Sequence, residues 1–76
     1  MAQFRDQKLL DKIAGRLKDL REERGLSQEK VYNELDIHIA RIEVGKINVS
    51  VSTISRLCEY FDISLTEFFE KIESNH

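Results

Sequence analysis

The sequence predicts an all-α fold of five short helices. Three observations carry this. Apolar residues recur at three- and four-residue spacing, as in Leu10, Ile13, Leu17 and Leu20, which is the period of one helix face. Serines stand where helix N-caps belong, at positions 27, 50 and 64. The chain has no proline, and its three glycines act as punctuation rather than as a linker.

Each element follows from local signals. The Leu10–Leu20 stripe marks a first helix from about Asp6 to Arg24, and Gly25 stands where a left-handed stop belongs. Ser27 caps a second helix, Gln28 to Leu35, with Val31 and Leu35 facing inward. Ile39 and Ile42 mark a third, very short helix that Gly45 ends, and Asp36 is placed to cap it from a start near Ile37. Gly45 to Ser50 reads as a loop, after which Val51, Ile54, Leu57, Cys58 and Phe61 form the apolar stripe of a fourth helix. Ser64-Leu65-Thr66-Glu67 has the capping-box form and opens a fifth helix carrying Leu65, Phe68, Phe69 and Ile72. Ile47, Val49 and Val51 also alternate as a strand would, but a lone strand has no partner elsewhere in this sequence.

A length of 76 residues bounds the answer to a single domain over residues 1–76, with a core from about 7 to 72. A chain this short buries only about 60% of its unfolded surface, so stability must come from economical packing or a partner. With 41% apolar and 34% charged residues the composition suits a helix-rich globule rather than a disordered tail. One cysteine cannot form an internal disulfide. The early charges Arg5, Asp6, Lys8, Asp11 and Lys12 leave no apolar segment for a signal peptide, and the longest charge-free stretch, Ile47 to Ser55, is too short to span a bilayer. The expectation is a soluble, cytoplasmic binding module with no membrane association.

A formal charge of −2 argues, taken alone, against a nucleic-acid binder. Its distribution says more. Residues 1–24 hold seven basic and five acidic side chains, residues 25–56 four of each, and residues 57–76 only Lys71 against five acids. The acidity is therefore concentrated in the last quarter, and the body is free to meet a different partner.

Catalytic and metal chemistry find little support. His38 has no carboxylate or cysteine at a zinc-ligand spacing, and His76 is the last residue. Cys58 lies on an apolar stripe, where a small buried hydrophobe is the ordinary reading. Glycines at 15, 25 and 45 make no phosphate-cradling loop. No enzyme activity, small-molecule substrate, cofactor or metal is expected.

Helices two and three are short, adjacent and joined by almost nothing, so they cross steeply and the second can project into a DNA major groove. Spacing alone leaves that reading level with a plain helical interaction domain. The motifs go further. Leu20-Arg21-Glu22-Glu23-Arg24-Gly25-Leu26-Ser27-Gln28-Glu29 resembles the opening of the Cro and phage-repressor type (XRE) helix-turn-helix family, and Arg41-Ile42-Glu43-Val44-Gly45-Lys46 its recognition-helix exit. Asn48-Val49-Ser50-Val51-Ser52-Thr53-Ile54 is similar to the start of the family's fourth helix, and Ile63-Ser64-Leu65-Thr66-Glu67-Phe68-Phe69 to its ending. The resemblance covers about residues 10–70 and implies a five-helix repressor-like bundle that binds double-stranded DNA as a transcriptional regulator.

It also implies roles for single residues. Ser27 and Gln28, at the start of helix two, are placed for a phosphate; an ordinary exposed first-turn residue is the alternative for Gln28. Arg41 and Lys46 are the only cations between Val31 and Ile54, and with Asn48 they are candidate backbone contacts. His38 and Ala40 fall at base-edge positions, with a merely solvated histidine equally open for His38. In the family a helix-one arginine often pairs with the recognition-helix glutamate, which here are Arg21 and Glu43. Such proteins usually act as two-fold dimers, and Phe68, Phe69 and Ile72 exceed what one inward face needs, so a homodimer contact is expected there. The rival reading is a protein-interaction module, antitoxin-like or a regulatory partner, that keeps the fold without reading DNA.

The pattern also departs from the family. Between Gln28 and Glu43 the chain is about three residues short, in the turn and the start of the recognition helix. A helix from Ile37 to Val44 would be about 12 Å long. Tyr32 replaces a small alanine, and the expectation is that its ring is buried against Ile39 and helix four, filling the space of the missing turn.

Overall fold

The protein is described by a computed structural model covering residues 4–74; His76 lies outside the described residues. Five helices follow one another, α1 (Gln7–Glu23), α2 (Gln28–Leu35), α3 (Ile39–Glu43), α4 (Val51–Tyr60) and α5 (Leu65–Ser74). Among the described residues there is no strand.

Side-chain oxygens set the helix starts. Asp6 accepts from Leu9 N–H, Ser27 from Lys30 N–H, Ser50 from Thr53 N–H and Ser64 from Glu67 N–H, at 3.0–3.1 Å. The ends of α1 and α4 share one geometry. Leu26 N–H bonds Arg21 C=O and Gly25 N–H bonds Glu22 C=O, while Ile63 and Asp62 repeat this on Cys58 and Glu59. Both are Schellman turns, with Gly25 (φ 65°) and Asp62 (φ 60°) in the left-handed position.

One core joins all five helices. Ile13, Leu17 and Leu20 of α1 meet Val31 of α2, Ile39 and Ile42 of α3, Ile54, Leu57 and Cys58 of α4, and Phe68 and Ile72 of α5. Phe61, at the end of α4, is fully buried, and its carbonyl accepts the Arg24 Nε–H at 2.7 Å, tying the ends of α1 and α4 together. Thus α3 rests on α1 and α2, while α5 rests on α1 and α4. The acidic Glu67, Glu70 and Glu73 are exposed on α5, which packs on α1 and α4.

Four local expectations are corrected. Helix three starts at Ile39, not Ile37, and its five residues span only about 7.5 Å. Asp36 does not cap it. Asp36 instead closes α2 in the left-handed conformation (φ 59°), its N–H on Tyr32 C=O, and His38 takes the N-cap position of α3 with no side-chain cap bond. Tyr32 is not buried. It is 39% exposed, because the late start of α3 lets Ile39 close the core completely and leaves no hole for the ring. Val51 also leaves the predicted stripe: as the first residue of α4 it projects past the core and is 66% exposed.

Candidate nucleic-acid interface

The helix pair α2–α3 is held by one carboxylate. Glu43, on the inward side of α3, receives Arg21 Nε–H at 2.7 Å on one oxygen and Arg21 Nη2–H at 3.0 Å on the other. The side chains are almost out of solvent, 11% exposed for Arg21 and 5% for Glu43. Arg21 Nη1–H also donates to the Leu26 carbonyl at 2.7 Å, in the turn between α1 and α2. Gln28 completes the set by donating its amide to Glu43 at 2.9 Å. The hydrogen bonding of its guanidinium to Glu43 is the main reason the Arg21 pKa is raised, outweighing its burial. One carboxylate thereby joins α1, α2 and α3, and its charge is neutralised beside the exposed face of α3.

The far end of α3 is fixed as firmly. Gly45 turns with φ 81°, and its carbonyl accepts Gln7 Nε2–H at 2.7 Å. The same amide nitrogen donates to Asp11 at 2.8 Å. A Cβ on Gly45 would stand 2.9 Å from the Asp11 carboxylate, so this turn lies hard against α1.

With Ile39, Ile42 and Glu43 turned inward, α3 offers Ala40 and Arg41 to solvent, joined by Val44 just after its end. His38, Arg41 and Asn48 border one open groove of about 370 Å³, which Ile47 and Thr53 also line. Arg41 and Lys46 are exposed, and neither side chain makes an ion pair or hydrogen bond among the described residues. Lys30, by contrast, is committed to Glu34 at 2.9 Å.

The other candidate residues are already engaged. The Ser27 hydroxyl oxygen caps α2, the Gln28 amide nitrogen is on Glu43, and Asn48 Nδ2–H bonds the Phe4 carbonyl at 3.0 Å. Phe68 and Ile72 do not present the dimer surface expected of them, because α5 turns both into the protomer's own core; Phe69 remains half-buried, its ring edge-on to Phe68 at 5.1 Å. Sequence reasoning missed a ring contact at the site, as it missed the bonds of Gln28 and Asn48. The Tyr32 ring lies over His38, centroids 4.5 Å apart and planes inclined by 31°. Its only signal was the tyrosine in place of alanine.

Among the described residues no cluster of His, Cys, Asp or Glu could hold a metal ion, and no helix is long and apolar enough to cross a membrane.

Two short helices locked on a common carboxylate, the second showing a cationic outer side, define a helix-turn-helix of the kind that binds DNA. The helix-turn-helix family model matches residues 17–68, and the chain belongs to that family, in its Cro/repressor (XRE) type. No curated protein matches the sequence.

Proposed function

We propose that this protein is a sequence-specific transcriptional regulator that binds double-stranded DNA as a homodimer in the cytoplasm. The observation that carries the reading is the pair of unpaired cations, Arg41 and Lys46, on the outer side of a rigidly held α3 and the loop after it. Their charges are free for phosphates, whereas the nearby Glu43 charge is cancelled by Arg21. Ser27 and Gln28 sit at the adjoining start of α2, where free backbone N–H groups favour a phosphate. Ala40, with His38 before it, faces the bases, and Asn48 borders the backbone contact. Residues 7–72 act as one domain, and occupancy of the site, not chemistry, is the output.

One copy brings few cations, so two copies on adjoining half-sites supply the affinity. With Phe68 and Ile72 inside, Phe69 and the partly exposed Leu65 are what α5 offers to such a contact.

The test is selection from random double-stranded DNA in moderate salt, with wild type and the Arg41→Ala/Lys46→Ala double variant. Wild type enriches a motif, and the variant binds every sequence more weakly with a shallower salt dependence. No enriched motif from wild type defeats the specific reading.

A second reading has its own observation. Val44, Ile47 and Val51, between the end of α3 and the start of α4, are exposed apolar side chains of the kind a protein-binding module would offer. A DNA motif enriched by wild type in the selection above removes the support for it.

A further inference from the structure

We propose that Tyr32 reads a base edge through its hydroxyl, taking over the place of the missing first turn of the recognition helix, with His38 as its positioning residue. The inference rests on the DNA-binding reading above. Gln28 and Tyr32 are four residues apart and share one face of α2. That face clasps α3 at both ends, Gln28 reaching Glu43 near its last turn and Tyr32 lying over His38 just before its first. His38 and Arg41 border the same groove, so the stacked rings sit on the side from which α3 meets its ligand.

Tyr32 is exposed, and its hydroxyl has no hydrogen-bond partner among the described residues. A phenol can donate to a purine N7 or a carbonyl oxygen and accept from an exocyclic amine, the groups that distinguish base pairs in the major groove. Stacking on His38 fixes the ring in advance, which lowers the ordering cost of a contact made by a single side chain. Ala40 and Arg41 are the outward side chains within α3, so a five-residue helix has little else with which to specify sequence.

The experiment is position-by-position base preference, from selection on random double-stranded DNA, for wild type, Tyr32→Phe and His38→Ala. Tyr32→Phe keeps the ring and the stack and removes only the hydroxyl. It is expected to lose about three- to tenfold preference at one base pair, with the salt slope unchanged. His38→Ala blurs the same base pair. A Tyr32→Phe profile identical to wild type overturns the proposal. So does a uniform loss across all sequences with a shallower salt slope, which would put the hydroxyl on a phosphate. Failure of wild type to enrich any motif is a different result and refutes the DNA-reading function itself.

Discussion

Arg21 holds Glu43 with two hydrogen bonds, 2.7 and 3.0 Å, in a pocket that leaves the carboxylate side chain only 5% exposed. Removing the acid strands a guanidinium that has little access to water, and breaking a buried pair from one side costs about 3–5 kcal/mol. Glu43→Ala should therefore lower the melting temperature far more than Glu29→Ala, an exposed acid in the first turn of α2 for which a change within about 0.5 kcal/mol is expected. Denaturant titration of both variants gives the comparison, and equal losses would show the pair to be ornamental. Because the Arg21 pKa is raised, its share of this stability is complete below the ordinary arginine value and is lost only as pH rises beyond it. Across the neutral range the arginine side of the pair is insensitive to pH.

Two glycines should respond in opposite directions. Gly15 lies inside α1, and a Cβ there meets nothing within 4 Å, so Gly15→Ala should stabilise by about 0.5–1 kcal/mol through helix propensity and unfolded-state entropy. Gly45→Ala must accept both a left-handed φ and the Asp11 carboxylate at 2.9 Å. A loss of about 2 kcal/mol or more is expected. Thermal melts decide both, and a stabilised Gly45→Ala would contradict the turn geometry.

Tyr60 and Glu34 predict a pH dependence. The Tyr60 hydroxyl donates to Glu34 at 2.6 Å, and this bond, ahead of the one from Lys30, lowers the Glu34 pKa. A depressed carboxylate pKa stabilises the fold above the unfolded value, and the benefit disappears as pH falls through the folded one. The same bond raises the Tyr60 pKa, so its benefit is present below the ordinary phenol value and disappears as pH rises through the folded one. Melting temperature against pH should thus fall less steeply at both ends in Tyr60→Phe than in wild type. Parallel curves would mean that the bond carries no pH-dependent stability.

Cys58 is buried in the core, and that burial pushes its thiol pKa up. Both effects suppress the reactive thiolate. Iodoacetamide should label it only as fast as the protein opens, with a large acceleration in denaturant. Rapid labelling of the native protein would require an α4 that exposes Cys58 to solvent.

What the sequence made legible were the features written in short stretches of chain. Ser27, Ser50 and Ser64 announce helix starts because a hydroxyl N-cap needs only the next three residues, and α2 has the predicted bounds Gln28–Leu35. Asp36 was misread because a short acidic side chain suits an N-cap and a left-handed turn equally well, and only the position of Ile39 decides between them. Tyr32 failed for a related reason. Filling a gap was the natural inference from a shortened segment, but the backbone had already moved to close it. The meeting of Arg21 and Glu43, 22 residues apart, had no local sign and was expected only from resemblance.

The five residues of α3 have a consequence for cooperativity. A helix this short closes barely one turn and cannot persist alone, since nucleation is the unfavourable step. Its amides should therefore be shielded from hydrogen exchange only through Ile39, Ile42 and Glu43, which tie it to the rest of the fold. Exchange at Ile42 and Glu43 should run at the rate of whole-molecule opening instead of showing a separate, faster local phase. The exposed outer face of α3 then has no independent existence, and any substitution that weakens the core lowers the fraction of molecules able to present it.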